Sequence, residues 1–150
     1  MKALLLLAAL LGQAAANGSC AGDLALAGAD ILKGAQSLST AVTDCENPKD
    51  HNKCVADISA ATSDLNEAST LVQLALQDCG GSGCQADLTK LELALQGLTT
   101  HLPAIAEDCD GAHKVKCAAD LAVGVKNAWN VSQDAAKASQ DCKGPTGVLV

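Results

Sequence analysis

Eight cysteines and eight aspartates carry most of the chemistry this chain could do. The cysteines stand at Cys20, Cys45, Cys54, Cys79, Cys84, Cys109, Cys117 and Cys142, and taken in consecutive pairs each pair is separated by the same step of 25 residues. Each opening cysteine begins a matching phrase: Cys20-Ala21-Gly22-Asp23-Leu24, Cys54-Val55-Ala56-Asp57-Ile58, Cys84-Gln85-Ala86-Asp87-Leu88 and Cys117-Ala118-Ala119-Asp120-Leu121. Each closing cysteine follows an aspartate, Asp44, Asp78, Asp108 or Asp141. An even set of cysteines at regular spacing reads as a disulfide framework, and disulfides persist in oxidising compartments. With every cysteine inside the frame, no thiol is spare for nucleophilic catalysis or for zinc.

Two other chemistries are open to these residues. The aspartates Asp23, Asp57, Asp87 and Asp120 fall in what would be a first helical turn, where the helix dipole favours negative charge. The aspartate before each closing cysteine is unfavourable there by the same rule. It could accept hydrogen bonds from the N–H groups of the next helix, or the carboxylates gathered at one end could hold calcium, although no EF-hand loop is present. His51, His101 and His113 fall in no nucleophile or metal motif. The chain is therefore expected not to be an enzyme and to need no cofactor or metal.

The spacing between cysteines is helical. Counting 0, 4, 7, 11, 14, 18, 21 and 25 from each opening cysteine gives an apolar seam at heptad spacing. In the third unit the seam is Cys84, Leu88, Leu91, Leu95, Leu98, Leu102, Ile105 and Cys109; in the fourth it is Cys117, Leu121, Gly124, Ala128, Val131, Ala135, Ala138 and Cys142. Breaker-rich stretches such as Gly80-Gly81-Ser82-Gly83 separate the units. The fold class predicted is all-α: an up-down-up-down four-helix bundle of two disulfide-stapled antiparallel hairpins.

A helix of 25 residues is about 37 Å long, so the two cysteines of one unit cannot bond to each other. Antiparallel packing places Cys45, Cys54, Cys109 and Cys117 at one rim and Cys20, Cys79, Cys84 and Cys142 at the other. Three pairings at each rim leave nine of the 105 possible connectivities. The preferred set is Cys45–Cys54, Cys20–Cys79, Cys109–Cys117 and Cys84–Cys142; the runner-up closes Cys79 with Cys84 and Cys20 with Cys142.

The opening phrase, the alanine-rich helix and the aspartate–cysteine close together resemble an abundant group of uncharacterised secreted proteins of dinoflagellate algae. The likeness runs from Cys20 to Cys142. It implies a eukaryotic secreted protein, and the group brings no assigned activity with it.

The beginning of the chain agrees with secretion. Met1-Lys2, an apolar run from Ala3 to Leu11 and Ala14-Ala15-Ala16 form a signal peptide over residues 1–16, too short to span a bilayer. The helical domain is expected over 17–142 and a short tail over 143–150. Sequons at Asn17 and Asn130 are candidate glycosylation sites. Without Lys2, nine lysines face seventeen acidic residues, a net charge of −8, and there is no arginine. That balance excludes nucleic acid and disfavours an anionic membrane surface.

Two functional readings remain. The first is a structural or protein-interaction module of the cell surface or extracellular matrix. The second is a carrier of a small hydrophobic ligand such as a lipid, sterol or pigment. Its site would be an oily wall of Leu91, Leu95, Leu98, Leu102 and Ile105, with Trp129, the only aromatic of its size, as core or lid.

Overall fold

In the computed structural model, the described residues are 20–80, 83–109 and 114–142, apart from the side chain of Pro48. The signal-peptide segment, Asn17, His113 and the tail 143–150 lie outside them. Four helices run in order: α1 (Cys20–Glu46), α2 (His51–Asp78), α3 (Cys84–Asp108) and α4 (Lys114–Asp141), with a 3₁₀ turn over Pro48–Asp50. α2 and α4 each begin three residues before their opening cysteine, so His51 starts a helix and is not a loop residue as its setting among breakers suggests.

The four helices close into a ring: α1 packs on α2 and α4, α3 packs on α2 and α4, and among the described residues no α-carbons of diagonal helices come within 8 Å. The heptad seams face inward. Ile31, Leu38, Leu65, Val72, Leu91, Leu95 and Leu102 are fully buried, as are the alanines Ala27, Ala61, Ala68 and Ala128 between them. Burial of these side chains, at about 25 cal/mol per Å², is the main force assembling the bundle.

Local chemistry sets the turns. Asn47 accepts from the Lys49 N–H at 3.1 Å and donates to Asp50 Oδ2 at 3.0 Å, which organises the α1–α2 turn. Gly83 enters α3 at φ +79°, a left-handed conformation that favours glycine.

Size complementarity is sharpest where α1 meets α2. A Cβ at position 34 would lie 2.8 Å from Leu65 Cγ and 2.9 Å from its Cδ2, so Leu65 fills the space that Gly34 vacates. Gly28 and Gly97 have nothing within 4 Å of that position. Gly34→Ala is therefore expected to destabilise by about 1–2 kcal/mol, overpacking outweighing the roughly 1 kcal/mol gained in helix propensity. Gly28→Ala and Gly97→Ala are expected to stabilise by about 0.5–1 kcal/mol each. Urea unfolding of the three variants checks both signs.

Candidate functional site

The cysteines come together in pairs at four corners. Cys20–Cys79 and Cys45–Cys54 staple α1 to α2 at both ends; Cys84–Cys142 and Cys109–Cys117 staple α3 to α4. Each pair has its α-carbons 4.7–4.8 Å apart, and no described cysteine is free. The connectivity is the preferred one, with each hairpin stapled within itself and none of the four bonds crossing between hairpins. We call the rim where both hairpins turn the hairpin rim (Cys45, Cys54, Cys109, Cys117) and the opposite one the terminal rim.

The recurring aspartates meet at the same corners. Side-chain hydrogen bonds join Asp23 to Asp78, Asp57 to Asp44, Asp120 to Asp108 and Asp141 to Asp87. The aspartate before each closing cysteine thus meets the aspartate three residues past the opening cysteine of the disulfide-linked helix, and not the N–H groups of the next helix; because α2 and α4 begin three residues early, Asp57 and Asp120 lie beyond the first turn. Nor do four carboxylates gather at a rim as a calcium bed; they stand two by two.

A carboxylate facing another carboxylate has a partner only when one of them holds a proton. Consistent with this, Oδ2 of Asp23, of Asp57 and of Asp87 is buried without a donor. Burial, the hydrogen bond with Asp78 and that group's charge raise Asp23 from 3.8 to about 7. Asp57 is raised by burial and then by Asp44. Asp120 and Asp141 are raised first by the hydrogen bonds with Asp108 and Asp87. At Asp23, which is only 2% exposed, burial and the neighbouring acid outweigh the favourable helix dipole. Lys116 lies 3.5 Å from Asp108 and tempers the hairpin-rim corner of α3 and α4.

Away from the corners two carboxylate groups stand out. Asp30, Asp64 and Glu67 place one oxygen each within 4.8 Å of the others between α1 and α2, with Lys33 3.9 Å from Asp30. Burial, followed by Glu67, lifts Asp30 to about 6. Glu92 of α3 is buried, and its Oε1 accepts from Ser69 Oγ at 2.7 Å, Gln73 Nε2 at 2.9 Å and Gln96 Nε2 at 3.0 Å. Two of these donors belong to α2, so Glu92 fixes the register between the hairpins, which share no disulfide.

No family model, curated protein or solved structure matches the chain.

The proposed ligand wall divides. Leu91, Leu95 and Leu102 are completely buried. Leu98 and Ile105, with Gly124 and Val123 of α4, line a surface cleft of about 270 Å³ whose polar lining is His101, Asp120 and Asn127. Trp129 is neither core nor lid to this cleft: it is 42% exposed on α4. Its neighbour Ala128 already takes the interior position, and an alanine-sized seam leaves no room for an indole. A second cleft, of about 190 Å³, opens at the hairpin rim between α1 and α4; Cys45 and Cys117 share its walls. Asn130 is exposed on α4, and His101 is exposed on α3.

The sequence carried a signal for the acid pairs that the helical reading left unused. Two aspartates recur at fixed offsets from the two cysteines that a corner brings together, so a bond between the cysteines places both aspartates side by side. For Glu92 there was no such signal.

Proposed function

We propose that the protein is a secreted structural or protein-interaction module of the cell surface or extracellular matrix. The observation that carries this reading is the burial of the seam side chains. The seam side chains are buried along each helix, a disulfide closes every corner, and exposed side chains offer a partner its contacts on the outside. Exposed Leu32, Leu74, Leu93, Val123 and Trp129 supply apolar contact points on that outside, of the kind that interfaces use. No described helix is long and apolar enough to cross a membrane. The framework of four disulfides supports an oxidising, extracellular setting, and an N-glycan at Asn130 would project from the outer face of α4.

The cleft beside Leu98 and Ile105 supports a second reading, carriage of a small hydrophobic molecule. At about 270 Å³ it lies just below the roughly 300–1,000 Å³ usual for ligand pockets, so its occupant would be small.

Native mass spectrometry of protein purified from its own source separates the two. A polypeptide mass accounted for by glycan alone, with self-association or a stoichiometric protein partner that Trp129→Lys or Leu93→Lys weakens, is expected for the module. A stoichiometric apolar adduct, lost in Gly124→Leu, would overturn that reading in favour of the carrier.

A further inference from the structure

The disulfides are not isolated from one another. At the hairpin rim the sulfur of Cys109 lies within 4.8 Å of both sulfurs of the Cys45–Cys54 bond. At the terminal rim the sulfur of Cys79 stands in the same relation to the Cys84–Cys142 bond. The two rims differ in access. Cys45 is the only one of the eight cysteines that is not buried, and the cleft of about 190 Å³ at its rim is walled by Cys45 and Cys117, with Lys114 and Glu46 beside them and Val42, Ala118 and Leu121 forming its apolar lining.

We propose that the hairpin rim is a thiol–disulfide exchange site that takes a small thiol as its co-substrate and switches the bundle between two covalent forms. Exchange proceeds by attack of a thiolate on a disulfide sulfur, with the displaced thiolate leaving. The incoming thiolate attacks Sγ of Cys45, the one cysteine that is not buried, and forms a mixed disulfide; the Cys45–Cys54 bond breaks and Cys54 leaves as a thiolate. Cys54 then attacks Cys109 Sγ, already within 4.8 Å, so that a Cys54–Cys109 bond forms and Cys117 leaves as a thiolate. Cys117, which lines the same cleft as Cys45, attacks the mixed disulfide, forms Cys45–Cys117 and releases the small thiol unchanged. No net oxidation or reduction occurs, and the thiol is regenerated.

The product joins α2 to α3 and α1 to α4. Two staples within hairpins become two staples between them, and the ring that packing, the Glu92 network and the hydrogen bonds of Gln85 to Leu76 and Cys79 held closed becomes covalent at one rim. Lys114 supplies the positive charge that favours an incoming thiolate; Glu46 and the Asp44–Asp57 and Asp108–Asp120 pairs oppose it, and they make an anionic thiol dependent on that lysine.

The test uses the intact folded protein, held without oxygen at pH 8 with reduced glutathione, acid-quenched, alkylated and mapped by peptide mass. Peptides linked through Cys54–Cys109 and Cys45–Cys117 are expected, with Cys20–Cys79 and Cys84–Cys142 retained. Lys114→Glu is expected to slow the exchange at least threefold with glutathione, whose thiolate also carries two carboxylates and one ammonium, and to slow it less with 2-mercaptoethanol, whose thiolate is its only charge. Two results would overturn the proposal: open thiols or glutathione adducts with no pairing between hairpins, or scrambling at both rims at equal rates, which marks global unfolding. Equal slowing of both thiols by Lys114→Glu would overturn the role given to the cleft.

Discussion

Replacing Cys20 and Cys79 together with alanine is expected to lower the free energy of unfolding by about 4 kcal/mol, against about 2.5 kcal/mol for the Cys45 and Cys54 pair. The difference follows from the chain each bond closes. Cys20–Cys79 spans 59 residues and Cys45–Cys54 spans nine, and the entropy removed from the unfolded chain grows with the logarithm of that span. The second hairpin should repeat the pattern, since Cys84–Cys142 spans 58 residues and Cys109–Cys117 eight. These are large fractions of the roughly 5–15 kcal/mol by which a domain is stable. An alanine-rich seam has little to replace them, because each alanine buries far less area than a leucine. Guanidinium unfolding of the two double variants gives the comparison, and equal losses would show that strain or residual structure in the unfolded state, not loop closure, sets the effect.

The second large effect is a stability that falls as pH rises. Asp23 has its folded value raised from 3.8 to about 7, and Asp57, Asp120, Asp141 and Asp30 are raised as well. A raised carboxyl binds its proton more tightly folded than unfolded, so linkage makes its contribution complete below about pH 4 and lost as the pH climbs through the folded value. For Asp23 that window runs from about pH 4 to about pH 7. At about 1.4 kcal/mol per pH unit, a loss of a few kcal/mol is expected, and Tm should drop by on the order of 10 °C between pH 5 and pH 8.5. Asp23→Asn, whose amide donates to Asp78 without a titrating proton, is expected to raise Tm at pH 8.5 and to flatten the profile. Calorimetry across that range checks both. A Tm that instead rises from pH 5 to pH 8.5, as for a protein held by ordinary salt bridges, would show that the acid pairs do not share protons.

The cysteine step of 25 residues and the heptad seam between them made the four helices, their antiparallel order and the stapled hairpins legible before any coordinates. The seam is a property of one helix at a time, and the rims follow from rod length and loop length alone. What could not be read depends on two helices at once. The first-turn aspartates looked like dipole partners because a single helix contains no second carboxylate to meet them; only the corner supplies it. Trp129 sits one position past the seam residue Ala128, and a single-helix phase cannot tell a core site from a groove facing solvent. The ligand wall divides for a related reason. Leu91, Leu95 and Leu102 share one stripe with Leu98 and Ile105, yet it is Leu98 and Ile105 that reach the cleft Gly124 of α4 helps to line.

The staples within each hairpin also fix how the molecule answers a pull. Tension entering at Cys20 crosses directly to Cys79, travels along the chain to Cys84 and crosses again to Cys142. Only the links from Cys79 to Cys84 carry the load, and at about 3.5 Å per residue they pay out roughly 18 Å. With the bonds intact, a chain that would otherwise unravel across more than a hundred residues behaves as a short, nearly inextensible tether. Severing either long-span staple lets one hairpin unspool.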